Sequence, residues 1–197
     1  MSSPVVRHQF SQCGDNVMIY GGAKILSPET ITVGSNVIID DFVFIGAHRQ
    51  LIIGNHVHIA SHVSITGGGR CLICDFAGIS SGARILTGSD SFAGDCLTGP
   101  TVPAVFRNVT RSDVVLGPHV VIGANAVVLP GVTIGEGAAI GAGSIVTRDL
   151  AEWGIYIGQP ARQVKVRPKE TILRMERSLY EQYGFPSHTF RDKGVLG

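Results

Sequence analysis

The residues best suited to move a proton lie in two short stretches. In Val57-His58-Ile59-Ala60-Ser61-His62, two imidazoles stand four positions apart, and histidine is the side chain that titrates nearest neutral pH. In Gly88-Ser89-Asp90-Ser91-Phe92-Ala93-Gly94-Asp95, two carboxylates sit among small and hydroxyl residues. A carboxylate or imidazole poised beside a nucleophile is what general-base chemistry requires. His58 and Asp90 are read as a catalytic pair that an interface between subunits could bring together, with His62, Ser89 and Asp95 as substrate contacts; the alternative is a surface His and a turn-forming Asp that caps its own loop. The four cysteines offer less. Cys71 and Cys74 form a lone C-x-x-C with no second pair or well-spaced His to complete a zinc site, and no cysteine stands in an evidently activated setting. His56, His58 and His62 combine alternate strand positions with a corner, which does not by itself make a tetrahedron, so no metal is expected. His48, His56 and His119 read as exposed corner residues.

Positioning these groups falls to a six-residue period. Leu116, Ile122, Val128, Ile134, Ile140 and Val146 follow one another at intervals of six, each preceded two positions earlier by a smaller residue such as Val114, Ala126 or Ser144. Upstream the same phase runs through Ile19, Ile25, Val33, Ile39, Ile45, Ile53, Ile59, Ile65, Ile73, Ile79 and Ile85, in steps of six or eight. Two inward residues flanking one outward residue make a short strand, and a following Gly, Asn, Asp or Pro makes a corner. Three strands close a triangular coil of about 18 residues, and a β-branched inner column packs against itself when coils stack. Seventeen anchors divided by three predict five to six coils. His58, between inward Val57 and Ile59, must point outward.

Composition agrees with such a solenoid. Twenty-six glycines in 197 residues, 7% aromatics and 16% charged residues are too Gly-rich for long helices and too apolar for disorder. Sixteen basic against fifteen acidic residues leave a net charge of +1, which supplies no field for nucleic acid. Neither a bilayer span nor a signal-peptide layout is present in the sequence, so a cytoplasmic protein is expected. The period fails from Leu86 to Asp113, where Gly, Ser, Asp, Thr and Pro predominate; a loop that long on a regular scaffold is expected to be functional. After Pro168, Lys169 to Tyr183 has helical spacing closed by Gly184, and is expected to pack on the last coils. The resulting division is an N-terminal segment 1–14, a solenoid domain 15–167 with its protruding loop 86–113, and a helix and tail 168–197.

The stretch from Val120-Val121-Ile122-Gly123-Ala124-Asn125 through Pro130-Gly131-Val132-Thr133-Ile134-Gly135 to Ile140-Gly141-Ala142-Gly143-Ser144-Ile145-Val146-Thr147 resembles the hexapeptide-repeat family. That resemblance implies an all-β left-handed parallel β-helix. It also implies a homotrimer that binds acetyl-CoA in a groove between coils. Gly123, Ala124, Gly141 and Ala142 would line the pantetheine arm. Ser144 to Arg148 resembles the family's coil ending, which puts Thr147 and Arg148 at the CoA contacts. Gly158-Gln159-Pro160-Ala161-Arg162 resembles its closing turn, with Pro160 near adenine and Arg162 or Lys165 near phosphate. Many relatives carry a catalytic His at the start of the protruding loop, whereas this chain has no His between Leu86 and Asp113. It is similar instead to a sugar-acetyltransferase branch, with Asp90 as leading carboxylate.

What the resemblance implies is transfer of acetyl from acetyl-CoA to an amino group of a nucleotide-linked deoxyamino sugar in surface-polysaccharide synthesis. Transfer would be direct, without an acyl-enzyme. A sugar O-acetyltransferase and a noncatalytic trimeric scaffold are the alternatives.

Overall fold

The six-residue steps build three flat faces, each a stack of short parallel strands. A computed structural model describes residues 9–46, 49–186 and 188–191. His48 and most of the N-terminal segment lie outside the described residues. The first face is formed by Gln12–Cys13, Ile31–Val33, Gln50–Ile53, Arg70–Ile73, Val114–Leu116 and Thr133–Ile134. The second comprises Val17–Ile19, Val37–Ile39, His58–Ile59, Gly78–Ile79, Val121–Ile122, Ala139–Ile140 and Gly154–Ile157, to which Arg162–Val166 adds as an antiparallel strand. The third comprises Lys24–Leu26, Phe44–Gly46, Ser64–Thr66, Arg84–Leu86, Val127–Val128 and Ile145–Val146. This is the expected left-handed parallel β-helix.

The coil count exceeds the expected five to six. Six coils are complete, and a partial seventh follows through Leu150, which bridges to Ile134, and Gly154–Ile157. The extra turn falls out of phase because Leu150 follows Val146 after four residues, and Leu150 and Tyr156 replace the β-branched anchors there, yet both are buried. Inside, the columns are close to fully dry: Ile39, Ile45, Ile53, Ile59, Ile73, Ile85, Leu116, Ile122 and Ile134 have no exposed surface. Each such side chain contributes roughly 1.5–3 kcal/mol of burial, so the stack is held mainly by its own interior.

Corners between the first and second faces repeat a left-handed backbone conformation. Asn16, Asn36, His56, Phe76 and His119 all have φ between 54° and 62°, a region in which non-glycine residues are uncommon. Stacked one per coil, their side chains form a ladder. Asn16 Nδ2 donates to Asn36 Oδ1 at 2.8 Å, and the rings of His56 and Phe76, then Phe76 and His119, stack at 4.8 and 4.9 Å. In the next coil the position belongs to Gly137, where a Cβ would lie 2.3 Å from the Trp153 ring, so only glycine leaves room for that indole.

The helix Glu170–Tyr183 docks on this ladder and not on the last coils alone as expected. Tyr180 is buried edge-on to His56 and Phe76, and Glu176 Oε2 lies 2.9 Å from His119 Nε2. The expectation of exposed corner histidines is corrected with it: His119 is only 6% exposed and His56 is half-buried, because a helix covers both. Burial pulls the His56 pKa down, with Asp75 opposing. Beyond the helix, the tail returns to the first face. Phe190 packs on Ile52, Leu72, Cys74 and Val115, and its N–H and C=O bond to Asp75. The first face is thus closed by the chain itself. The second is left open, with Met18, Ile38 and Val121 pointing outward and exposed.

Candidate active site

The protruding segment leaves and re-enters the solenoid through a narrow neck. Thr87 Oγ1 donates to the Thr66 carbonyl at 2.9 Å and accepts from Gly69 N–H at 3.0 Å. Arg70 clamps the returning strand, its Nε and terminal nitrogen reaching the Asp113 carboxylate at 2.7–3.2 Å. This fork-to-fork contact holds the Asp113 carboxyl below its ordinary pKa. Gly88 crosses Gly67 so closely that a Cβ would lie 2.3 Å from the Gly67 carbonyl oxygen. Past the neck, Gly88–Asp90 pairs antiparallel with Val109–Arg111, so a region read as irregular loop contains a β-hairpin.

Its two carboxylates differ in character. Asp95 is fully engaged: Ser91 Oγ donates to Oδ1 at 2.6 Å and Asn108 Nδ2 to Oδ2 at 3.3 Å, which hold its pKa down. Asp90 accepts from Gly99 N–H through Oδ2 at 3.1 Å, while Oδ1 is sealed from solvent without a hydrogen-bond partner among the described residues. A buried unpaired carboxylate oxygen is costly, and a donor arriving with a ligand would relieve that cost. Ser89 Oγ donates to the Asp90 carbonyl at 3.0 Å.

Within one chain His58 does not meet Asp90. It stands on the outer side of the second face, and its Nε2 lies 3.1 Å from Asp40 Oδ2, one coil away. The loop leaves from the corner between the third and first faces, across the prism. Asp40 was missed by sequence reading. The signal was present in the register, since Ile38 pairs with His58 and sets Asp40 at the adjoining corner. His62, the other imidazole of that stretch, is exposed and stacks on Phe42 at 5.1 Å.

The positions assigned to CoA gather at the far end of the solenoid. Ala124 and Ala142 occupy corresponding corners of successive coils, with Ala142 exposed. Gly123 is required by coil stacking, because its missing Cβ would fall 2.5 Å from Ala142 N. Similarly, a Cβ at Gly141 would meet Ile157 at 2.6 Å. The closing turn is anchored on the same coil: Gly158 N–H donates to Ser144 Oγ at 3.1 Å, Ala161 N–H to the Ile145 carbonyl at 2.8 Å, and Gln159 Nε2 to the Gly143 carbonyl at 2.7 Å. Thr147, Arg148, Pro160, Arg162 and Lys165 remain exposed around it. Guanidinium and ammonium groups left in solvent beside small-residue corners can take phosphate oxygens. Cys71 and Cys74 lie elsewhere and are buried, and desolvation pushes the Cys71 thiol up to about 12, which keeps it from serving as a thiolate nucleophile.

Comparison with known proteins matches this architecture. Residues 113–148 fit the model of the bacterial transferase hexapeptide (six repeats). Over 164 residues, 83% of this chain and 85% of the relative, the sequence is 37% identical to the dTDP-4-amino-4,6-dideoxy-D-glucose acyltransferase of Escherichia coli. The chain belongs to the hexapeptide-repeat acyltransferases. Among solved structures, AntD, an N-acyltransferase from Bacillus cereus in complex with dTDP and 3-hydroxybutyryl-CoA, superposes with a TM-score of 0.86 at 37% identity, covering 94% of this chain and 100% of that one. A single-residue variant of AntD, in complex with dTDP-4-amino-4,6-dideoxyglucose and coenzyme A, gives a TM-score of 0.84 at 38% identity over 88% of this chain and 92% of that one. Among the described residues no helix is long and apolar enough to cross a membrane.

Proposed function

We propose that this enzyme transfers an acyl group, acetyl in the simplest case, from acyl-CoA to the amino group of a dTDP-linked 4-amino-4,6-dideoxy sugar. The relatives' substrates support the acceptor class, and the N-acyl chemistry favours an amine over a hydroxyl. The observation that carries the reading is Asp90. One carboxylate oxygen is pinned by a backbone N–H and the other is dry and unpaired, on a hairpin that the hexapeptide repeat does not require.

In this mechanism Asp90 accepts a proton from the sugar amine, whose lone pair attacks the thioester carbonyl. The C–N bond forms, the C–S bond breaks, and CoA leaves as a thiolate that takes up a proton. No acyl-enzyme intervenes. The exposed corner of Ala124 and Ala142 holds the pantetheine arm, and Thr147, Arg148, Pro160, Arg162 and Lys165 receive the nucleotide end of CoA. His62, Ser89 and Asp95 border the acceptor side. The active form is a homotrimer in which the open second face, with Met18, Ile38 and Val121, is covered by another copy. That arrangement brings His58, oriented by Asp40, toward the Asp90 loop of the neighbouring subunit. The enzyme works in the cytoplasm in the synthesis of a surface polysaccharide, a setting compatible with its free thiols.

Asp90→Asn tests the reading. Turnover on the dTDP-amino sugar should fall roughly 10²–10⁴-fold, the usual worth of a general base, with CoA affinity unchanged in calorimetry. An Asp90→Asn enzyme with undiminished turnover at neutral pH overturns it.

A further inference from the structure

Among the described residues, three buried side-chain polar atoms lack a hydrogen-bond partner, and two of them belong to the protruding loop: Asp90 Oδ1 and Arg107 Nε. One is an acceptor without a donor and the other a donor without an acceptor. Native proteins leave few such atoms, and a complementary pair in one loop calls for a ligand that carries both missing partners.

The hairpin sets their spacing. Asp90 faces Val109 across the ladder, and pairing continues one step further through Ser91 N–H to the Asn108 carbonyl at 2.9 Å. Arg107 is two residues beyond Val109 and extended, with φ −121° and ψ 147°. Directly opposed residues share a face and the side-chain period is two, so Asp90 and Arg107 lie on the same side of the hairpin, about 7–8 Å apart on the diagonal. Arg107 is fixed from both flanks, by its N–H to the Ala104 carbonyl at 3.1 Å and by a bridge to Leu97. It borders a cleft with Asp95, Cys96, Leu97, Phe106 and Asn108. Asp95, the carboxylate of that cleft, engages both its oxygens with Ser91 and Asn108.

We infer that Arg107 binds the diphosphate of the nucleotide sugar and that Asp90 and Arg107 together measure one pyranose ring between its anomeric phosphate and its amine. This rests on the acceptor class proposed above and assigns the residue that recognises its anion. A guanidinium suits the task because it presents parallel N–H donors to phosphate oxygens and keeps its charge at every working pH. A sugar whose amine sat adjacent to the phosphate would satisfy Arg107 or Asp90 but not both.

The test is calorimetric titration of wild type, Arg107→Ala and Arg107→Lys with dTDP, dTMP and CoA. Wild type should bind dTDP more tightly than dTMP. Arg107→Ala should weaken dTDP roughly tenfold or more and erase the preference over dTMP, and Arg107→Lys should fall between them, all with CoA affinity within twofold of wild type. Should Arg107→Ala also lose CoA, Arg107→Lys alone is scored by the same dTDP-to-dTMP ratio. An unchanged ratio in the scored variant overturns the assignment, as does an equal loss for both nucleotides. If wild type binds CoA but neither nucleotide, the acceptor class itself is refuted.

Discussion

Glu176→Gln should loosen the C-terminal helix from the solenoid by an amount that the surroundings of the carboxylate set. Glu176 sits between two basic side chains: His119 Nε2 at 2.9 Å from Oε2, and Arg191, which grips Oε1 and also reaches Glu136 at 3.3 Å. His119 and Glu176 side chains are almost fully buried, whereas Arg191 is 37% exposed. Removing one member of a buried pair costs about 3–5 kcal/mol. Arg191 keeps its water and Glu136, and the amide can still accept one hydrogen bond, so we expect about 2 kcal/mol. For a chain of this size that corresponds to a drop of roughly 0.7–1 M in the urea midpoint. The effect has a definite pH sign. Burial pushes the Glu176 carboxyl up, but its bonds to Arg191 and His119 outweigh burial and hold the pKa below the ordinary 4.5. Its stabilisation is therefore complete above the unfolded-state pKa and fades as pH falls through the lower folded value. The gap between wild type and Glu176→Gln should be full at pH 7 and narrow below about 4.5. The single tryptophan, Trp153, lies 6.2 Å from the His119 ring and reports directly on this corner by its fluorescence. Equal urea midpoints at pH 7, or a gap that widens on acidification, would show that Glu176 does not tie the helix to the solenoid as an ionised carboxylate.

Two further substitutions separate the scaffold from the loop. Gly88→Ala places a Cβ 2.3 Å from the Gly67 carbonyl oxygen and 3.0 Å from that of Thr110; displacing the neck should lower kcat/KM about a hundredfold while circular dichroism and CoA titration stay close to wild type. Gly123→Ala puts a Cβ 2.5 Å from Ala142 N and 2.6 Å from the Ile140 carbonyl oxygen. It should cost roughly 1–3 kcal/mol in thermal unfolding and weaken CoA measurably, in contrast to Gly88→Ala.

The scaffold was legible because its stabilising contacts repeat. An inward Ile every six residues dictates strand, corner and coil together, and each of those anchors reports the same local environment. Reading failed where the repeat is replaced by one-time solutions. The seventh turn uses Leu150 and Tyr156, which keep the six-residue step between themselves but follow Val146 after only four residues and so fall out of phase with the repeat. The helix was visible from its own spacing, but its docking surface was not. That surface is made by His56, Phe76 and His119, residues separated by whole coils that become neighbours only because each occupies the same left-handed corner. A corner reads as solvent-exposed from sequence. Covering it with Tyr180 and Glu176 buries His119 and half-buries His56.

The same distinction explains the candidate site. The sequence put Asp90 ahead of Asp95 only by its resemblance to a sugar-acetyltransferase branch, and paired His58 with it by residue type. Coordinates separate them by what each oxygen already holds: Asp95 is satisfied by Ser91 and Asn108, His58 is matched to Asp40, and Asp90 keeps one oxygen unmatched. A satisfied carboxylate has little to gain from a ligand, whereas an unsatisfied one gains the bond that folding withheld. Arg107 attracted no notice in the sequence because arginines in a loop are ordinary, and nothing in the spacing set it apart from Arg111. Its significance comes from a hairpin that turns it toward the side Asp90 occupies while leaving Nε dry. Since a self-supporting solenoid does not need either orphan, the free energy of keeping both must be offset by the stacked core. The repeat can tolerate that because its coils hold one another, so the loop is free to be arranged around a substrate instead of around itself.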